Sequence, residues 1–114
     1  MRTFHGCVFL SREELEKVGK NYPIKVEYYK TMEETKYSEN YGIEVIKTEY
    51  IDNDIKLETI KLDNITSNED KINNVLDVLR KNGVTPVAAE DVITDLIYVW
   101  TKGRSFCSQF IKKR

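Results

Sequence analysis

The segment His5–Gly6–Cys7 brings a histidine and a cysteine close together in the sequence. Residues two apart on a strand share a face, so both side chains can point the same way. A Cys–His nucleophile pair is possible by residue type, but nothing nearby supplies an orienting partner. A metal site needs three or four ligands, and Cys107 is the only further soft residue. Ordinary packing of a small buried thiol is therefore the favoured interpretation.

Carboxylates cluster in a predicted C-terminal helix, at Glu90, Asp91 and Asp95. Catalytic carboxylates need burial to raise their pKa, whereas acids near the start of a helix more simply face solvent and favour the helix dipole. The chain has no phosphate-binding loop, dinucleotide fingerprint, zinc spacing or nucleophile elbow. No catalytic residue, cofactor or metal ligand is predicted.

The C-terminal segment, residues 101–114, is basic and contains no acid. Its five cations are the candidate contacts for a partner: Lys102, Arg104, Lys112, Lys113 and Arg114. Phe106, Phe110 and Ile111 interleave with them at helical spacing. The segment therefore either docks on the domain through these apolar residues, stays a solvated tail, or contacts an acidic partner or nucleic acid.

Length and composition indicate one ordinary globular domain. The chain has 114 residues, 40% of them hydrophobic, and a net charge of −1. A net charge this close to zero does not indicate a nucleic-acid-binding protein. The acidic residues of the second predicted helix also argue against a DNA-binding helix-turn-helix, because they would face the phosphates. The two cysteines form no disulfide framework, and no apolar run has the length of a signal peptide core or a membrane span. We expect a soluble cytoplasmic protein.

Apolar periodicity predicts an antiparallel sheet. Four stretches have strand character: residues 3–10, 24–32, 41–51 and 55–62. Ser11 and Glu14 have capping-box spacing and predict a short helix before Gly19. The first strand is the least regular, so the sheet is expected to have three strands or four.

The third and fourth strands form a predicted hairpin with Asn53–Asp54 as its two-residue turn. That turn places Tyr50 opposite Leu57. Both strands change the phase of their apolar alternation midway, at Val45–Ile46 and Thr59–Ile60. A strong twist or a bulge is the expected cause.

Two amphipathic helices follow, and each carries one apolar stripe that needs the sheet to cover it. A capping box at Thr66 and Glu69 predicts the start of the first helix. Gly83 is expected in the left-handed conformation of a Schellman ending, with Pro86 blocking any continuation. The second helix should run from about Val87 to Tyr98 or Trp100. Four apolar residues are expected in the core: Leu76, Leu79, Ile93 and Leu96.

Several motifs over about residues 24–98 resemble a family known as a domain of unknown function. They are Tyr41–Gly42–Ile43–Glu44–Val45, Ile65–Thr66, Asn82–Gly83–Val84–Thr85–Pro86–Val87, and Asp91–Val92–Ile93 followed by Asp95. The family consists of small proteins from anaerobic, spore-forming Gram-positive bacteria. The resemblance implies one α+β domain in a bacterial cytosol. It does not imply any activity.

The sequence thus predicts an α+β domain over residues 1–100, in which a C-terminal pair of helices packs on one face of a three- to four-stranded antiparallel sheet. The leading hypothesis for function is a non-enzymatic cytosolic protein that acts through protein–protein contact. A nucleic-acid-associated protein that uses the basic segment is one alternative. A cysteine-dependent enzyme is the other. The sequence names no partner and no oligomeric state.

Overall fold

The computed structural model describes residues 1–10, 22–51 and 53–102. They form a four-stranded antiparallel sheet followed by two helices. The elements are β1 (Arg2–Phe9), β2 (Ile24–Glu34), β3 (Glu39–Ile51), β4 (Asp54–Thr66), α1 (Glu69–Lys81) and α2 (Pro86–Lys102). The predicted α+β architecture is confirmed, with the stretch 3–10 as a fourth strand. The short helix predicted after Ser11 lies outside the described residues.

The strands lie in the order β1-β2-β3-β4, a simple antiparallel meander. Alternate residues of β2 and β3 point toward the helices and form the core together with the apolar stripes of α1 and α2. The buried apolar residues are Ile24, Val26, Tyr28, Tyr41, Ile43, Val45, Ile72, Val75, Leu76, Leu79, Ala89 and Ile93. We call the face toward the helices the covered face and the opposite side the open face. Leu96 packs against this core and is partly buried.

The two ends of α1 explain why this helix has its length. Its N-cap is Asn68, whose side chain accepts the Lys71 N–H at 3.0 Å. The predicted capping box at Thr66 and Glu69 is therefore wrong, because the Thr66 hydroxyl instead accepts the Asn68 N–H in the turn before the helix. Thr66 itself is the last residue of β4, so it cannot also begin the helix.

The C-terminal end of α1 is the predicted Schellman motif. Gly83 has a φ of 58°, which non-glycine residues adopt at a cost. The Val84 N–H donates to the Leu79 carbonyl at 2.9 Å and the Gly83 N–H to the Arg80 carbonyl at 3.2 Å. Pro86 then opens α2, at a position where a missing N–H costs nothing. Helix α2 extends to Lys102, two residues past the predicted limit at Trp100.

The β3–β4 hairpin has a different register from the predicted one. Ile51 pairs with Asp54, so two residues separate the strands, one position earlier than predicted, and Tyr50 lies opposite Ile55 rather than Leu57. Asp52, Asn53 and Asp54 are all good turn residues, which is why composition alone misplaced the turn by one position. From Ile43–Leu62 to Ile51–Asp54 the pairing is continuous. Of the two causes expected for the phase change at Val45–Ile46 and Thr59–Ile60, a strong twist or a bulge, the bulge is therefore wrong.

Irregular pairing occurs elsewhere in the sheet. Between β3 and β4 the register shifts at Gly42, where Tyr41 pairs with Thr66 but Ile43 pairs with Leu62. Asn64, in the extra loop of β4, has a φ of 51°. A Cβ at position 42 would overlap the Leu62 carbonyl oxygen and lie 2.9 Å from the Asp63 Cα. This close approach of two backbones requires glycine at position 42.

Candidate functional site

His5 and Cys7 lie on opposite faces of the sheet. A second register shift, between Phe4 and Gly6, takes up His5 and turns its side chain toward α1. Its Nε2 lies 2.8 Å from the Asp77 Oδ1. Cys7 pairs with Glu27 and points to the open face as a half-buried free thiol. The expectation that the two side chains share a face is wrong, so His5 cannot serve Cys7 as a base.

His5 instead helps to attach the edge strand β1 to the helix layer. The Arg80 side chain of α1 lies over Gly6, so the consecutive residues His5 and Gly6 of β1 both contact α1. On β2, the Lys30 ammonium bonds the Glu69 carboxylate at 2.7 Å and also donates to Asn73. These polar contacts lie on the covered face and have structural roles.

A second anchor joins the sheet to the α1–α2 connection. The Tyr28 hydroxyl donates to the Val84 carbonyl oxygen at 2.8 Å. Burial raises the pKa of Tyr28 to about 12. The aromatic side chain is therefore kept neutral and fixes the position of the Schellman ending over the sheet.

A polar concavity of about 310 Å³ occupies the end of the open face near Gly42. Its charged lining residues are Arg2, Glu33, Glu44, Lys61 and Asp63. Arg2 donates to Glu44 at 2.9 Å, and this hydrogen bond raises the pKa of the Arg2 guanidinium. The lining thus mixes both signs of charge and pairs two of its members internally, so it presents no concentrated field for an anion or a cation.

Apolar side chains collect at the other end of the open face, beside the β3–β4 turn. In this half of the hairpin the alternation is reversed: apolar residues point away from the helices and charged residues point toward them. This reversal is the phase change seen in the sequence. We call Ile46, Tyr50, Ile55 and Leu57 the hairpin patch. Ile55 is 61% exposed and Leu57 63% exposed, although both are in regular β-structure.

The helix-facing side of the same half carries an alternating set of charges. Lys47 contacts Glu49 at 3.5 Å and Glu58 at 3.0 Å, and Lys56 pairs with Glu49 across the strands. None of these four side chains belongs to the apolar core. The apolar side chains of the hairpin patch therefore lie on the face that the core does not use.

The surroundings of the hairpin patch are polar but nearly neutral. On the same face the Lys25 ammonium lies 3.8 Å from Glu27, and the Glu27 carboxylate, followed by Tyr50, raises the pKa of Lys25. The neighbouring Tyr29 donates to Glu27 at 3.0 Å, and its burial together with this bond raises its pKa. Among the described strands, the open face carries these charged residues: Arg2, Lys25, Lys61, Glu27, Glu33, Glu44 and Asp63.

Aromatic residues of β1 also lie on the open face, at the edge of the sheet opposite β4. Phe9 pairs with Lys25 and is 68% exposed. Phe4 packs edge-on against Tyr29 with ring centroids 5.5 Å apart, and the Arg2 guanidinium lies 4.1 Å from the centroid of the Tyr29 ring. Neither Phe4 nor Phe9 was singled out in the sequence as a contact residue, because strand alternation alone does not tell which face is covered.

The predicted partner-contact residues fall at or beyond the described part of the chain. Lys102 is the last residue of α2, and nothing is described of its side chain. Arg104, Lys112, Lys113 and Arg114 lie outside the described residues, as does Cys107. Glu90 and Asp91 are exposed on α2, in keeping with a solvated acidic helix.

Residues 1–10, 22–51 and 53–102 contain neither a candidate metal site nor a candidate membrane-spanning helix. No group of three or more histidine, cysteine, aspartate or glutamate side chains converges there in a way that could hold a metal ion. Neither of the helices in this part of the chain combines the length and apolarity required to cross a membrane.

Comparison with models of known protein families gives a match over most of the chain. A model described as a family of unknown function (DUF6514) matches residues 8–99. The chain belongs to this family. The DUF6514 match includes β2, β3, β4 and α1, and therefore both the hairpin patch and the Schellman ending. No curated protein and no solved structure matches the chain. The resemblance to a domain of unknown function is confirmed.

Proposed function

We propose that this protein is a small non-enzymatic protein that acts by binding another protein through the hairpin patch. The observation that carries the proposal is the reversed alternation of β3 and β4, which directs Tyr50, Ile55 and Leu57 away from the core. Exposed apolar clusters bordered by polar residues are typical of protein contact surfaces.

The charge of the open face favours a protein as the partner. Its described charges are three cations, Arg2, Lys25 and Lys61, against the four carboxylates of Glu27, Glu33, Glu44 and Asp63. A nucleic-acid surface needs an excess of positive charge to meet the phosphates. A nearly neutral rim around an apolar centre instead matches a protein surface with its own apolar centre and mixed-charge rim.

The setting of this function is also a proposal. The sequence resemblance to small proteins of anaerobic, spore-forming Gram-positive bacteria supports a bacterial host and a cytoplasmic location. The partner is accordingly sought in the lysate of such a host.

The test is capture of a partner by the immobilised full-length chain, followed by its identification by mass spectrometry. In the test variant, Ile55→Lys and Leu57→Lys together place two charges in the hairpin patch. The matched control is Val87→Lys, which changes an apolar residue that is 75% exposed on α2. We expect the partner to be lost with the double variant and retained with the control.

The proposal fails if the double variant keeps every protein that the unaltered chain captures. It also fails if the captured material is nucleic acid whose binding weakens steeply as salt is raised, because that dependence reports phosphate contacts. Circular dichroism of the double variant checks that the sheet is intact, as expected for substitutions at exposed positions.

A further inference from the structure

The edge strand β4 has an unpaired side. In the sheet order, β4 is last, and among the described strands only β3 pairs with it. Helix α2 packs against the C-terminal half of β4, where Ile93 and Ile97 lie by Leu62 and Ile65. Among the residues that the structure describes, the stretch from Asp54 to Leu57 is exposed throughout. A long unpaired strand edge is a template for pairing with another strand.

The register shows which backbone groups of β4 point outward. A two-residue turn closes on a hydrogen-bonded pair, here Ile51 with Asp54. Alternate residues after Asp54, starting with Ile55 and then Leu57, therefore direct their N–H and C=O groups away from β3. In agreement, the Ile55 N–H donates to the carboxylate of Asp54 at 2.9 Å rather than across the hairpin. Leu57 is the central residue of the outward-pointing set.

We propose that β4 pairs in antiparallel orientation with β4 of a second copy of this chain, with Leu57 on the two-fold axis. In that register Lys56 lies opposite Glu58 of the second copy, and the symmetry repeats this pair on the other side of the axis. Moving the axis by one residue brings Lys56 opposite Lys56 or Glu58 opposite Glu58. Charge complementarity thus selects Leu57 from among its neighbours.

This pairing extends the proposed function. It rests on that proposal for the role of the hairpin patch as a contact surface. The two Leu57 side chains would meet on the open face, and the hairpin patches of both copies would join into one apolar surface across the axis. The partner of the first contact is then a second copy, and the combined surface is what a further protein would bind.

The test is analytical ultracentrifugation of the full-length chain over a concentration series. We expect a reversible monomer–dimer equilibrium. Glu58→Lys, which replaces two attractive pairs by two repulsive ones, should weaken the dimer about tenfold. The charge swap Lys56→Glu with Glu58→Lys should restore the affinity, because opposite charges again face each other across the axis.

The swap separates contacts between copies from contacts within one chain. Within the sheet, Glu58 contacts Lys47 and Lys56 lies opposite Glu49, so the swap makes both in-chain pairs repulsive and should lower the melting temperature. Recovery of the dimer in a less stable domain can come only from the contact between copies. Lys61→Glu, on the same strand but beyond the paired segment, is the matched control and should leave the equilibrium unchanged.

Three results would overturn the proposal: a monomer at every concentration, a dimer indifferent to Glu58→Lys, or a swap that fails to restore affinity. Its failure is distinguishable from that of the proposed function. If Glu58→Lys is monomeric but still captures the partner through Ile55 and Leu57, the partner contact stands without the dimer. If the dimer forms as expected but the lysine substitutions in the patch lose no captured protein, the partner contact fails alone.

Discussion

The two halves of the β3–β4 hairpin use the same strands in opposite ways. In the half beneath the helices, Ile43, Val45 and Ile60 point into the covered face. In the half near the turn, Tyr50, Ile55 and Leu57 point to the open face. Because the pairing is continuous between them, no bulge produces the exchange; only the residue pattern changes. A change of apolar phase within a regular strand can therefore mark the point where a buried surface ends and an exposed one begins.

The comparison can be tested most directly with two leucines, one packed against the covered face from α1 and one on the open face near the turn. Leu79 is fully buried by the covered face, whereas Leu57 is 63% exposed. Leu79→Ala should lower the free energy of unfolding by about 2–5 kcal/mol, through lost burial and the cavity left behind. Leu57→Ala should change it by less than about 0.5 kcal/mol. Denaturant unfolding at a concentration where both variants are monomeric would measure the two values, and similar values would contradict the distinction.

Gly42→Ala tests whether every position on the open face tolerates substitution without loss of stability. Position 42 belongs to that face, but a Cβ there would overlap the Leu62 carbonyl oxygen. We expect a loss of about 1–3 kcal/mol, because backbone must move to admit the methyl group. Thr59→Ala, at an exposed position of the same face, is the control and should cost much less. An unfolding midpoint that Gly42→Ala leaves unchanged would show that the backbone around Asn64 can move at little cost.

Tyr28→Phe sharpens the comparison on the covered face by removing one polar anchor and no apolar area. Loss of the bond to Val84 should cost about 0.5–1.5 kcal/mol at neutral pH. The pKa of Tyr28 is raised from 10.0 to about 12, so the folded state holds this proton more tightly than the unfolded chain. The corresponding stability is present below pH 10 and is lost as pH rises through about 12.

The measurement is the free energy of unfolding of both proteins between neutral pH and pH 12. The unaltered chain should lose more stability over the alkaline range than Tyr28→Phe, since the other titrating groups are common to both. Parallel curves would contradict the role assigned to the Tyr28 hydroxyl.

Much of the fold could be predicted where one residue type dictates the local conformation. Gly83 after a basic last turn predicted the Schellman ending, because glycine adopts positive φ without strain. The start of α1 was misplaced because Thr66 and Asn68 are both good capping residues, and the choice depends on where β4 ends. The turn of the hairpin was misplaced for a similar reason, since three consecutive residues suit it.

The candidate site was less predictable than the fold. The separation of His5 from Cys7 depends on a register shift that leaves no mark in composition. The hairpin patch did leave a signal, the change of phase at Val45–Ile46 and Thr59–Ile60. That signal has two meanings, a bulge or an exchange of faces, and only the pairing of β3 with β4 distinguishes them.

The meander order of the strands has a consequence for how the chain folds during synthesis. Each strand pairs with the one made just before it, so the sheet can assemble from neighbouring segments at little cost in loop closure. The helices that cover it are made last. Until α1 and α2 leave the ribosome, a nascent sheet would display apolar side chains on both of its faces, and we expect this interval to be when the chain most needs protection from aggregation.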